Sequence, residues 1–461
     1  MINFKSLIAL TIVILFPFSL MAVGVAEGAS HSLPAWLSVT CISFLIAKLF
    51  FLRNDDYLYA SFLVFFYVFL VLAPILQTSA NYFPWHDNYT KSEIEISWWI
   101  TLFALISFEF GYVLIQKKGV VSVESSKVLS KKGVKALFLG AVFSMLVGIA
   151  NVGFSSLFIP RNELAVILST SVGGDTSKVM IMSAIMRVPA VIILILFAND
   201  LLVKIKSGSY TRDDLAQQKT ITFLLFVIVV IVNNPVSTAR FWVGCIFLSL
   251  YLVWLINKTE KRSGYWFGIN VLILLLAFPV MDVFRKSLDG DIVRAFQNSD
   301  PGKELVKSPD FDAFQQQINT AIAVELEGIN YGRQVMSTLL FFVPRGVWEG
   351  KSEPTGVLVA STLGYKFKNL SAPISAEFYM DGKLPGVIIG MLLLGLLYRM
   401  LYLQSGLNSS LSTSFFCFFC AYQTYFLRGS MMAVVGFVFA SIFLILIIKR
   451  YQSTLYEDVK G

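Results

Sequence analysis

Charge is scarce in this chain. Asp, Glu, Lys and Arg together make 14% of its 461 residues, against about 25% in soluble proteins. Histidine is scarcer still: His31 and His86 are the only two, so any imidazole chemistry must come from one of them. The four cysteines, Cys41, Cys245, Cys417 and Cys420, all sit in apolar runs. That placement excludes a disulfide framework. Cys417 and Cys420 spell C-x-x-C, but Phe415, Phe416, Phe418 and Phe419 surround them, as befits small apolar residues in a membrane span. Internal repeats are also missing, and with them the duplicated halves of many transporters.

What the chain has instead is apolar length. It is 56% hydrophobic with 41 Phe, and runs near the length of a bilayer crossing recur throughout. Twelve spans are expected, at 7–23, 37–52, 57–77, 98–115, 137–154, 179–199, 220–232, 241–256, 265–283, 384–402, 411–427 and 432–449. The first also fits a signal peptide, since Lys5 precedes it and small residues follow. The fold class is therefore all-α, one polytopic membrane domain over 1–461, with a long, partly helical loop at 284–383 between spans nine and ten.

The net charge of +8 lies in short loops, which speaks for membrane topology and against nucleic acid. With the N-terminus inside, one set of loops holds Lys117, Lys118, Lys127, Lys131, Lys132 and Lys135, then Lys204, Lys206, Arg212 and Lys219, then Lys258, Lys261 and Arg262. The opposite loops are nearly bare: none in 24–36, Lys91 in 78–97, Arg161 and Lys178 in 155–178. The asymmetry places both termini in the cytoplasm and the loop 284–383 outside.

That loop carries 11 Lys plus Arg against 12 Asp plus Glu, so it is no basic tail. Its middle places Phe311, Phe314, Ile318, Ile322 and Leu326 at helical spacing. The pattern fits a helix lying along the membrane surface or capping the spans, or one in a small external domain. A second apolar segment, 334–343, is too short to cross a bilayer and fits a re-entrant segment.

Four arginines fall at the outer face: Arg161 after Pro160, Arg240 ending the turn NNPVSTAR, Arg345 after Pro344, and Arg428 in FLRGSMM. A single outer-face Arg is as readily a snorkelling or ion-paired residue. Four together suit an anionic ligand, because guanidinium donates paired hydrogen bonds and stays charged. Of the candidate bases, Glu377 in SAEFYMDG sits just before span ten, and His86 in YFPWHDNY has Asp87 beside it. An aromatic interfacial loop accounts for YFPWHDNY as well. Asp289-Gly290-Asp291 spells D-x-D but lacks any surrounding α/β pattern and reads as a turn. No metal or cofactor is expected. Inside the spans, Glu109 and Arg187 stand at similar depths and are expected to form an ion pair.

Arg345 is followed by Gly356 after ten intervening residues, within PR-x-x-W and ahead of A-E-F-Y and Pro385-Gly386. With the hydropathy pattern, this stretch resembles the O-antigen polymerases of the Wzy type. The family is described with Arg-x10-Gly in its third and fifth periplasmic loops. Arg345 and Gly356 match the fifth; Arg161 has Gly173 one residue too far. The likeness is strongest over 310–400 and at Arg240 and Arg428.

The resemblance implies a bundle related to C-type glycosyltransferases in the bacterial inner membrane. It implies polymerisation of undecaprenyl-pyrophosphate-linked oligosaccharide repeats, with pyrophosphate as leaving group and no cofactor. Arg345, Arg240, Arg428, Arg161 and Gly356 would form the substrate site, with Glu377 or His86 catalytic. Partners would be the lipid-linked oligosaccharide, membrane lipid, a chain-length regulator and a flippase of the same pathway. The alternatives are an O-antigen ligase and a non-enzymatic flippase or transporter. Ligases of this layout rely on a His in the large loop, and 284–383 contains none.

The charge asymmetry has a direct test. In a cysteine-free background, a cysteine at position 125 should react with a membrane-impermeant thiol reagent only after permeation. Cysteines at 300 and 350 should react in intact spheroplasts; the reverse pattern would invert the topology.

Overall fold

A chain that sits in lipid can satisfy its backbone only within helices or closed barrels, and helices account for nearly all the regular structure here. The computed structural model describes residues 4–53, 55–85, 88–115, 127–159, 163–164, 166–167, 176–208, 210–234, 237–258, 263–280, 300–368, 370–404 and 409–454. In chain order the helices are α1 (Phe4–Ala26), α2 (Leu33–Leu52), α3 (Tyr57–Ala80), α4 (Lys91–Leu114), α5 (Lys131–Val152), α6 (Thr176–Ser207), α7 (Arg212–Val232), α8 (Arg240–Asn257) and α9 (Ser263–Val280). The long loop contributes α10 (Pro301–Lys307), α11 (Ala313–Glu327), α12 (Arg333–Leu339) and α13 (Thr355–Thr362). Then follow α14 (Ile374–Gln404), α15 (Ser410–Arg428) and α16 (Met431–Ile448).

Among the described residues, ten helices are long and apolar enough to cross a membrane: all those named outside the long loop except α5 and α15. α5 and α15 stand where two further spans are expected. α5 opens on three lysines, and α15 is diluted by Ser, Thr and Gln.

The centre of the bundle is α3. Its membrane-length window is buried all round, as expected of a helix apolar on every face. Phe62 of α3 stacks on Phe108 of α4 with ring centroids 3.5 Å apart. α4 in turn lies against α14 through two glycines. A Cβ on Gly111 would sit 2.1 Å from the Leu392 carbonyl oxygen, and one on Gly395 would sit 2.1 Å from that of Phe108. Each glycine lets the other helix's backbone close in, the small-residue packing that membrane helices use where hydrophobic attraction is weak.

α14 is two pieces. At Gly382 and Lys383 the backbone leaves helical geometry, Lys383 with φ of 51°. The first turn therefore folds back, so that Phe378 lies over Gly386 and Gly390.

The bundle has two distinct faces. The ends of α3, α4, α8 and α15 near Ala80, Lys91, Arg240 and Arg428 gather under segment 300–373, hereafter the loop face. At the opposite face, the ends of α2, α4 and α14 near Arg53, Ile115 and Arg399 meet. A short β1 (Lys127–Leu129) also pairs antiparallel with β2 (Gln452–Thr454). The buried Lys204 and Asp200 hold Leu129 at its carbonyl and amide.

Two expectations narrow and one changes. α11 does not lie along a surface: Ala313 to Ala321 are all buried, Gln315, Gln316, Gln317, Asn319 and Thr320 included, while Leu326 is exposed. Segment 334–343 forms α12 and docks on α16, with Phe341 packed on Met432 and Val435. Glu109 is paired with other bases than Arg187. It takes Lys48 Nζ at 2.5 Å, Arg53 Nη2 at 3.1 Å and the Tyr59 hydroxyl at 2.6 Å.

The cause lies at the other end of α4. A capping box between Thr90 and Glu93 starts this helix at Lys91, seven residues before its apolar run. Glu109 is thereby roughly 27 Å along the helix at ~1.5 Å per residue, near its far end rather than mid-membrane.

Removing Glu109 should strand two cations that lie mostly out of water. Glu109→Leu is expected to lower stability by about 3 kcal/mol, read by thermal unfolding in detergent. Arg187→Leu should add to it without coupling in a double-mutant cycle; a large coupling would restore the Glu109–Arg187 pair.

Candidate functional site

The loop face is assembled around Asp312, whose carboxylate is 1% exposed. Its Oδ1 accepts from Arg428 Nη2 at 3.0 Å and from the Ser371 hydroxyl at 2.6 Å. Its Oδ2 accepts from the Trp85 indole at 2.8 Å. A buried carboxylate needs such donors to replace the water it has lost. Arg428 also donates Nε to the carbonyl of Asp310 and Nη2 to that of Pro309, at 2.8 and 2.7 Å. Its guanidinium lies over the Phe241 ring. Arg240 reaches the same turn from α8 and pairs with Asp310 Oδ2 at 2.7 Å.

Two of the four expected arginines thus converge on residues 309–312. Asp310 is the more open of the two acids that hold them, at 23% side-chain exposure.

α11 is held behind this turn by its amides. Gln317 bonds Ser97, Thr101 and Ser375. Asn319 bonds Tyr89 and Tyr365, and Gln315 bonds the Trp85 backbone and the Tyr89 hydroxyl. A polar helix can enter an apolar bundle only when its side chains are satisfied in this way. In front, Trp85 stacks on the half-exposed Phe367 at 5.6 Å and meets Tyr365 edge-on. That leaves aromatic faces beside the arginine pair.

Arg345 is elsewhere in the loop. Its two terminal nitrogens donate to the carbonyls of Lys351 and Ser352, both at 3.0 Å. Lys351, itself buried, donates to the carbonyls of Phe341 and Val343. The two cations therefore fix the turn that leads into α13. Gly356, in the first turn of α13, meets the segment leading to α14 directly: a Cβ there would lie 2.1 Å from the Leu370 carbonyl oxygen. Leu370 precedes Ser371, the donor to Asp312. The Arg-x10-Gly stretch thus braces the segment on which the arginine pair depends.

Glu377 is buried in the first turn of α14. Its Oε1 accepts from the Ser430 hydroxyl at 2.9 Å and the Met431 amide at 2.6 Å. It caps the N-terminus of α16 and so holds the turn 428–431 that presents Arg428. His86, Arg161, Gly173 and Asp289-Gly290-Asp291 lie outside the described residues. His31 is placed on Ser79 and Trp36, where burial lowers its pKa. Cys417 and Cys420 are buried free thiols.

A second feature of this face is a cleft of about 330 Å³. Glu327, Arg333, Glu349, Lys351, Glu353 and Thr362 line it, a mixture of donors and acceptors. Asp310, Asp312 and Trp85 are the residues that sequence reading passed over. The D-F-D spelling is a weak signal, and Trp85 lies 227 positions from its acid, beyond any local pattern.

The brace has a clear test. Gly356→Ala should lower stability by about 1–3 kcal/mol, since backbone must move. Gly346→Ala, with open space around its Cβ position, should change little. Equal melting temperatures for the two variants would remove Gly356 from the brace.

Compared with family models, curated proteins and solved structures, the chain matches none.

Proposed function

We propose that this protein polymerises undecaprenyl-pyrophosphate-linked oligosaccharide repeats at the outer face of a bacterial inner membrane. The observation that carries the reading is the convergence of Arg240 and Arg428, from separate helices, on residues 309–312. It is supported by the match of Arg345 and Gly356 to the resemblance. The Lys and Arg asymmetry of the loops makes the loop face periplasmic and both termini cytoplasmic. With α5 and α15 counted, the bundle has twelve spans, in the manner of a C-type glycosyltransferase.

In this reading the growing chain's pyrophosphate sits against Arg240 and Arg428. Both guanidiniums then stabilise charge that develops as the glycosidic bond to phosphate breaks. They are held there beforehand by acids and carbonyls, so little reorganisation is needed. Asp310, the more open acid of the pair, takes the proton of the attacking hydroxyl. Glu377 acts by holding the turn that carries Arg428. The Trp85 and Phe367 rings offer apolar faces to sugars, and the polar cleft beside α13 receives the acceptor repeat. No sugar nucleotide or metal is required, because the pyrophosphate is both activating and leaving group.

The test is a strain lacking this gene, complemented by variants, with surface polysaccharide separated on a gel. Single-repeat caps in the deletion support a polymerase. Absence of any transferred repeat indicates a ligase, and absence of exported repeats a flippase. Arg428→Lys and Arg240→Lys keep the charge but lose the fork. Each should slow polymer formation per folded protein roughly 10- to 150-fold, the value of a charged hydrogen bond worth ~1.5–3 kcal/mol. Arg345→Ala should lower folded protein, with polymer falling in proportion. Full-length polymer from both arginine variants would sink the site assignment.

A further inference from the structure

The face opposite the loop holds a second built site. α2, α4 and α14 end there around a cleft of about 440 Å³, lined by Lys48, Arg53 and Arg399 together with Asp55, Asp56 and Tyr112. The acids are engaged. Glu109, behind the cleft, serves Lys48, Arg53 and Tyr59 at once. Asp56 accepts from the Tyr112 hydroxyl and the Tyr59 amide, and Asp55 from the Tyr402 hydroxyl at 2.9 Å. Asp56 is fully buried, and the loss of water around it pushes its pKa up to about 6.

The bases keep capacity. Arg53, with 12% of its side chain exposed, spends Nη2 on Glu109, while its buried Nη1 meets no acceptor among the described residues. Its guanidinium lies against both Tyr59 and Tyr112, at 4.2 and 4.4 Å from the ring centroids. Arg399 donates Nε to the carbonyl of Ile115 and lies over Tyr112 and Tyr402. A buried guanidinium nitrogen without a partner is costly, and Arg53 and Arg399 both line the cleft, where an anion would offset their charge.

The rim says which anion. Leu52 lines the cleft and is 75% exposed, and Phe51, Phe110, Val113, Leu114 and Met400 are exposed on the same helix ends. In a bundle of membrane-spanning helices such side chains face acyl chains. Charge on the floor and apolar side chains at the rim match one amphiphile.

We propose that this cleft binds the phosphate headgroup of an anionic membrane lipid, with Arg53 and Arg399 as donors and its chains lying along Phe51, Leu52 and Val113. The site is independent of the loop-face chemistry.

The full-length protein is placed in nanodiscs of phosphatidylcholine doped with phosphatidylglycerol, and retained lipid is counted by native mass spectrometry. Wild type should keep phosphatidylglycerol. Arg399→Ala should bind it roughly tenfold more weakly, the value of one charge-assisted hydrogen bond. Lys449→Ala, which removes an equal charge from an exposed position at the end of α16, should behave as wild type. Should Arg399→Ala fold poorly, Arg399→Gln serves in its place. Equal retention in wild type and the Arg399 variant overturns the proposal. So does stabilisation by glycerol phosphate with no lipid retained, which would assign the cleft to a soluble phosphate.

Discussion

One buried carboxylate organises the loop face. Asp312 is almost wholly withdrawn from water, and its oxygens are met by Trp85 from the α3–α4 connection, Ser371 from the approach to α14 and Arg428 from the end of α15. Losing any donor leaves charge in a medium that solvates it poorly, at a cost of several kcal/mol. The need to satisfy that one group therefore ties three distant parts of the chain to the start of α11. The same arrangement holds a guanidinium ready at the surface.

Helix packing makes this possible. Gly111 and Gly395 bring α4 and α14 to backbone contact, and that closeness places Ser97, Thr101 and Ser375 within reach of Gln317. A polar helix can then descend into an apolar bundle without unsatisfied amides. The fold-back of α14 at Gly382 and Lys383 does related work, since it turns Glu377 toward Ser430 and Met431. Close packing and polar satisfaction support each other here, as they must where water is absent.

The two faces handle their charges differently. At the loop face the two converging arginines meet separate acids, Arg240 on Asp310 and Arg428 on Asp312. At the opposite face one acid, Glu109, serves Lys48 and Arg53 together. The first arrangement holds two guanidiniums side by side on one turn. The second leaves donor capacity beside lipid-facing side chains. Both follow from arginine's planar, permanently charged fork.

The sequence alone determined the class of protein and the placement of its helices along the chain. Hydropathy is a local property, and any apolar run in lipid must be helical whatever it packs against. Arg240 and Arg428 were legible for the same reason, as charges at the ends of runs. Their partners were not. Arg428 lies 116 residues from Asp312, and no periodicity reports contacts at that separation. Glu109 was assigned to Arg187 because depth was counted from the apolar run, whereas the Thr90 capping box starts the helix earlier. The polar residues on α11 carried no reading, because the pattern shows an amide without showing Ser97, Thr101, Ser375 or Tyr89 waiting for it. Gly356 was legible as a spacing from Arg345, but its purpose is the Leu370 carbonyl pressed against its α-carbon. Only the tertiary structure decides such matters, because pairing and close approach depend on which helices lie side by side.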